Sequence, residues 1–215
     1  FATNLMGWAW AGEITRAMDV PVQISPVELT RAAVFGQSLA VFNGANQVAT
    51  LDNQANRPGT GSTLSNRYAA APNGSIVQGY DRFDVTQIQS SFIKQFDRIL
   101  GASAYNLVGE VGAVFVSGLP DARTQRYGRG AVFGGGVDPG NTVDAGFVTD
   151  FSWGYRLRLT GNYRDVYDGI ALLPSVAFSH DVEGWSPEPG QSFNEGRQIL
   201  GLGVTFEFDS ATKAA

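Results

Sequence analysis

Gly146-Phe147-Val148-Thr149-Asp150-Phe151-Ser152-Trp153-Gly154-Tyr155-Arg156-Leu157-Arg158-Leu159-Thr160 is the stretch on which the fold turns. Phe147, Phe151, Trp153, Tyr155, Leu157 and Leu159 alternate with Val148, Asp150, Ser152, Gly154, Arg156 and Arg158. A helix would scatter these two sets around its axis. An extended strand sends successive side chains to opposite faces, so one face is bulky and apolar and the other carries two arginines and an aspartate.

The same alternation recurs on both sides of this stretch. From Ala2 to Arg16 the even positions include Met6, Trp8, Trp10 and Ile14, against Thr3, Gly7, Ala9, Ala11, Glu13 and Thr15. From Gly79 to Phe96, Ile88, Phe92 and Phe96 oppose Gln87, Gln89 and Ser91. After Gly101, Tyr105, Leu107, Val111 and Phe115 oppose Asn106, Glu110 and Gly112. Ile170, Leu172, Val176 and Phe178 stand against Ala171, Ser175, Ser179 and Asp181, with Pro174 as an irregularity. Leu200, Leu202, Val204, Phe206 and Phe208 close the series against Gly201, Gly203, Thr205 and Glu207. This predicts an all-β, antiparallel, up-and-down arrangement of about six long strands.

Strands of this length separate two architectures. A soluble sandwich is built from strands that average five or six residues, whereas a tilted strand crossing a bilayer takes about 9 to 11. Only 16% of the 215 residues are charged, while 43% are hydrophobic and 12% aromatic. No run approaches the roughly 20 apolar residues of a spanning helix. The remaining spanning solution is a closed barrel, in which every lipid-facing backbone group is paired between strands. Tyr80, Phe96, Tyr105, Phe147, Tyr163, Tyr167 and Phe208 lie near segment ends, as the aromatic girdles of a transmembrane β-barrel do. Known single-chain barrels of this kind start at eight strands. Six are too few, so the expectation is one partial barrel domain over residues 1–215, with any signal peptide upstream.

The connections alternate in length: 19–78 long, 97–102 short, 117–145 long, 161–169 fairly short, 182–197 intermediate. Outer-membrane barrels pair short periplasmic turns with longer extracellular loops, which assigns 19–78 and 117–145 to the outside. Ser25-Pro26 with Glu28 has the form of a helix start, predicting a short helix near 26–35 within the first loop.

Several function classes drop out. A net charge of −5 without clustered Lys and Arg gives no phosphate-binding surface, so no nucleic-acid partner is expected. The chain has no cysteine and one histidine, and neither a metal nor a cofactor is expected. His180-Asp181 beside Ser179 invites a hydrolytic reading. Neighbouring strand residues face opposite ways, so this group is instead expected to order the following loop, through His180, Asp181, Glu183 and Arg197. The candidate binding residues are those of the polar face: Glu13, Glu110, Asp150, Arg156, Arg158 and Glu207. They would be hydrated or paired across strands, and in a lumen they would set its preference. A self-satisfied charge ladder is the plainer reading of the same residues.

Gly79-Tyr80-Asp81-Arg82-Phe83-Asp84-Val85, Leu107-Val108-Gly109-Glu110-Val111-Gly112, Arg126-Tyr127-Gly128-Arg129 and Phe151-Ser152-Trp153-Gly154-Tyr155-Arg156 carry a further signal. So do Pro174-Ser175-Val176-Ala177-Phe178-Ser179-His180-Asp181-Val182-Glu183-Gly184 and Phe193-Asn194-Glu195-Gly196-Arg197. In combination these runs resemble the C-terminal part of a proteobacterial outer-membrane β-barrel family catalogued as domain of unknown function 1302. The similarity runs from about residue 76 to 208 and more loosely over the first strand. Members of that family are longer and close with a further strand pair ending in an aromatic residue, which is absent here. The resemblance implies a Gram-negative outer membrane, with its lipid and lipopolysaccharide as surroundings. It also implies a periplasmic lipoprotein-carrier-like partner and an inner-membrane transporter of the resistance-nodulation-division superfamily. The function expected on this basis is passage or export of hydrophobic or amphipathic, lipid-like molecules. The alternatives are a lipid-acting barrel enzyme and a structural or adhesive barrel, and an oligomer stays open.

Overall fold

The computed structural model describes residues 1–26, 39–43, 46–51, 76, 78–121, 125–128, 146–167, 169–187 and 192–208. Their main feature is one antiparallel sheet of seven strands. In spatial order it contains β1 (Ala2–Leu5), β2 (Trp8–Gln23), β5 (Tyr80–Asp97), β6 (Ala104–Ser117), β7 (Phe151–Tyr167), β8 (Ile170–Glu183) and β9 (Gln198–Phe208). Strands β3 (Leu39–Asn43) and β4 (Asn46–Leu51) form a separate hairpin inside the long connection between β2 and β5. The large sheet is up-and-down and open, with β1 and β9 at its edges.

The registers fix the two faces. Trp10 pairs with Phe92, Phe92 with Gly109, Gly109 with Leu157, Leu157 with Phe178, and Phe178 with Leu200. One row over, Ser91 pairs with Glu110, Glu110 with Arg156, and Arg156 with Ser179. The alternation read along each strand is thus continuous across the sheet. One face is apolar, and we call the other the polar face.

Three features depart from the expectations. The stretch read as a single strand from Ala2 is a hairpin: Met6 and Gly7, with φ of 51° and 76°, turn the chain back so that Leu5 pairs with Trp8. Two residues with positive φ make the turn whose twist suits a tight hairpin. The reversal puts Thr3 opposite Trp10, on the apolar face and not the polar one. The strand after Gly146 begins at Phe151, and Phe147 turns inward and is buried, so it belongs to no rim of aromatics. The connection from 19 is also shorter than expected, because β2 continues to Gln23 and the connection contains β3 and β4. Beyond Pro26, the helix expected at 26–35 lies outside the described residues.

A bulge explains how β2 continues. Its register against β5 shifts between Ala17 and Val20, and Asp19 adopts φ 56°. An extra residue exchanges the two faces of a strand, so Val20 and Val22 join the polar face, opposite Phe83 and Asp81. There Val22 meets residues from the long connections. Val22, Ile24, Val114, Val116, Tyr127, Val148 and Phe193 form the buried cluster, with Phe83, Val85 and Leu119 against it. Ile24 bridges to Tyr127 and Trp185 to Asn194. The long connections therefore leave from one end of the sheet, and their described parts fold over its polar face there. Among the described residues, the opposite end carries the turns at 6–7 and 98–103 and the short link between Tyr167 and Ile170.

Candidate functional site: the polar face of the sheet

The sequence-derived candidates divide into a central group and three outliers. At the centre, Arg156 Nη1 lies 3.5 Å from Glu110 Oε1. The two residues are directly cross-strand. Both side chains are more than a third exposed, so the pair contributes no more than about 1 kcal/mol to stability. Arg158 lies two residues along, between Val108 on β6 and Ala177 on β8. Its exposed guanidinium makes no hydrogen bond or ion pair among the described residues. Val108, Glu110, Arg156, Arg158, Ser179 and Ile199 line an open groove of about 350 Å³.

The outliers sit elsewhere. Glu13 is on β2 opposite Gln89, in a small depression beside Phe1. Asp150 lies just before β7, exposed, with its carbonyl accepting the Val116 amide at 2.8 Å. Glu207 is exposed near the far end of edge strand β9, opposite Ala171. The structure does not bring these three to the central group.

The residues expected to order the loop after β8 are separated by the sheet. Asp181 is buried on the polar face, where Oδ2 accepts from Arg197 Nε at 2.6 Å and from the Asn194 amide at 2.9 Å. Its backbone closes the same loop: the Asp181 amide donates to Arg197 O, and the Gly196 amide donates to Asp181 O, each at 2.9 Å. His180 is on the apolar face, with its ring 5.7 Å from that of Tyr155 and Nε2 at 3.4 Å from Gln198 Nε2. Glu183 sits exposed opposite Trp153, at a register shift. His180 and Asp181 thus share no site, as strand geometry requires.

Several residues that hold the loops were not singled out by sequence. Glu195 Oε2 accepts the Gly184 amide at 2.9 Å. Thr149 Oγ1 accepts the Trp185 amide at 2.8 Å and donates to Phe151 O at 2.6 Å. Ser152 and Ser186 pair through their buried hydroxyls at 3.0 Å. Tyr127 donates to Asp81 Oδ2 at 2.8 Å and stacks edge-on against Phe83, and Arg126 lies 4.8 Å over the Phe147 ring. Gly184 has φ 78°, and a Cβ there would run into Phe151 O, so the loop can leave β8 only with glycine at this point.

The apolar face has its own boundaries. Trp10, Ile14, Ile88, Val111, Leu157, Leu159, Val176 and Leu202 are all substantially exposed on it. At the end of the long connections, charge appears: Arg16 Nη2 donates to Asp84 Oδ2 at 2.8 Å, and Arg82 Nη1 donates to Asp19 O at 2.7 Å. At the turn end, Lys94 Nζ donates to Met6 O at 2.8 Å and lies 5.6 Å from the Trp8 ring. The Tyr105 and Tyr163 hydroxyls pair there at 2.7 Å. Among the described residues no group of three potential ligands is placed to hold a metal ion, and no helix is long and apolar enough to cross a membrane.

A family model described as "Protein of unknown function (DUF1302)" matches residues 1–215, the whole chain. No curated protein and no solved structure matches.

Proposed function

The chain belongs to the DUF1302 family, and from that premise we propose that its seven-stranded sheet is part of a transmembrane β-barrel in a Gram-negative outer membrane, serving passage or export of hydrophobic or amphipathic molecules. The observation that carries this reading is the bounded apolar face. From Trp8 to Arg16 along β2 is about 26 Å at the rise of an extended chain. That interval runs from a Trp–Lys boundary to an Arg–Asp boundary. Nine residues from one polar margin to the other, both included, match the length of a tilted spanning strand, and the aromatic residues at the turn end match an interfacial girdle.

Two further features support the barrel. Turns at one end and long connections at the other follow the asymmetry of outer-membrane barrels, which makes the connections between β2 and β5 and between β6 and β7 extracellular. An open sheet leaves a row of unpaired backbone groups on β1, β2 and β9, and in lipid such groups must be paired. Closure by further strands therefore belongs to the proposal. The polar face becomes the lumen, and the cluster around Val22, Tyr127 and Phe193 becomes a plug beneath its outer mouth. The periplasmic carrier-like protein and the resistance-nodulation-division-type transporter enter as proposed partners through the sequence resemblance alone.

The test is fractionation of cells producing the full-length protein, with extraction at alkaline pH and electrophoresis with and without boiling. Retention in outer membranes and faster migration unboiled support the barrel. Recovery with soluble proteins, migrating identically in both states, sinks it. Hydrophobic-dye accumulation in cells lacking the protein then reports on passage: a change in accumulation that the restored gene reverses supports transport, and no change counts against it.

A further inference from the structure

The central groove of the polar face combines three properties that a water-filled wall does not need together. First, its cationic charge is uncompensated. Arg156 has Glu110 as partner at 3.5 Å, while Arg158 has no hydrogen-bond or ion-pair partner among the described residues and is flanked across the strands by Val108 and Ala177. Second, the polar face turns apolar around that cation. Ile93 pairs with Val108, and Ile93, Val108 and Ile199 are 49%, 41% and 53% exposed. On a sheet whose other face is already apolar, these side chains break the alternation on the side that meets water. Third, Ala177 and Gly201 keep the floor low between Arg158 and β9, which leaves the groove of about 350 Å³.

We propose that this groove binds a single-chain amphiphile with an anionic head, a free long-chain carboxylate, with the head on Arg158 beside Val108 and the tail over Ala177 and Gly201 to Ile199. The inference rests on the barrel reading and names the substrate class of that same face. Charge decides the head: an unpaired guanidinium beside apolar side chains favours a carboxylate, which it binds through two parallel hydrogen bonds. Size decides the tail: the groove is at the small end of the range for small-molecule sites, about 300–1,000 Å³, and suits one chain rather than a two-chain lipid. A neutral amphiphile gains only the apolar wall. A cationic one meets repulsion from Arg158.

The experiment is binding of laurate, dodecanol and dodecyltrimethylammonium to the purified full-length protein in neutral detergent, by displacement of a fluorescent fatty acid. The unaltered protein is expected to prefer laurate over both others. Arg158→Gln should weaken laurate about ten- to hundredfold, the range set by one charge-assisted contact, and leave dodecanol unchanged. Arg158→Lys should keep most of the preference. Gly201→Leu, whose Cβ would lie 3.7 Å from Ala177 Cβ in ordinary contact, fills the groove and should weaken laurate and dodecanol alike, while Arg16→Gln on the opposite face should alter neither. Equal binding of the three ligands, or laurate binding indifferent to Arg158→Gln, overturns the proposal. Displacement by a two-chain phosphatidylglycerol but not by laurate also overturns it, in favour of a lipid site. The barrel reading fails separately, in the fractionation above, because laurate preference in a soluble protein would still locate the site.

Discussion

Arg16 and Asp84 form an ion pair at 2.8 Å on the apolar face of the sheet, at the point where β2 bulges and its faces exchange. Asp84 also accepts the amide of Asp19, the residue with positive φ inside that bulge. One aspartate thus marks where the apolar band stops and holds the distortion that sends Val20 and Val22 to the opposite face. Asp84→Ala should loosen the bulge and, through it, the buried cluster. Amide exchange of Val22 and Ile24 is expected to rise with little change in the centre of the sheet. Unchanged exchange at those amides would separate the bulge from the cluster.

Asp181→Ala leaves Arg197 Nε and the Asn194 amide without their acceptor. Hydrogen bonds to charged groups contribute about 1.5–3 kcal/mol, and the expected loss of stability is of that size. It should concentrate in residues 184–197. His180→Ala removes only ring packing on the other face and is expected to cost less. Denaturant midpoints of the two variants check the order, and equal losses would contradict the division of the pair by the sheet.

Gly184→Ala combines a left-handed backbone with a Cβ that collides with Phe151 O. The left-handed conformation alone costs an alanine roughly 1–2 kcal/mol. Trp185, buried next to it, supplies the readout: its emission should shift to longer wavelength as the loop lifts. An emission spectrum identical to that of the unaltered protein would mean that the loop tolerates the side chain.

Met6 occupies a left-handed turn position that suits asparagine or glycine better. Met6→Asn is expected to stabilise the β1–β2 hairpin by about 0.5–1 kcal/mol, part of the roughly 1–2 kcal/mol that a left-handed position costs an ordinary side chain, since asparagine relieves only some of that strain. Protection of the Gly12 amide, which donates to Phe1 O at 2.9 Å, should increase. A decrease would show that the methionine side chain contributes packing that outweighs the strain.

The sheet was legible because side-chain period is a local property. Phe151 to Leu159 alone fixes which residues share a face, and every register across the sheet from Trp10 to Leu200 respects that assignment. What escaped depends on conformations with weak local signals. Met6-Gly7 is not one of the dipeptides that announce a hairpin, so the alternation seemed to run through the turn. The bulge at Asp19 is invisible in a pattern of polar and apolar residues. Tyr127 and Phe193 lie far apart in the chain and meet only because two connections fold back over the same face. For the candidate site, the cross-strand contact of Glu110 with Arg156 followed from facing parity. The lone position of Arg158 depended on register, which no single strand reveals.

The membrane reading has an internal control in the four tryptophans, since Trp8, Trp10 and Trp153 share the apolar face while Trp185 is buried at the loop end, its amide held by Thr149. Single-tryptophan variants of the full-length protein, reconstituted in vesicles of bromine-labelled phosphatidylcholine, measure lipid contact directly by quenching. Strong quenching of Trp10 and Trp153, with Trp185 spared, is the predicted result. Trp10 and Trp153 unaffected by the brominated lipid but quenched by acrylamide from water would contradict the account at its centre.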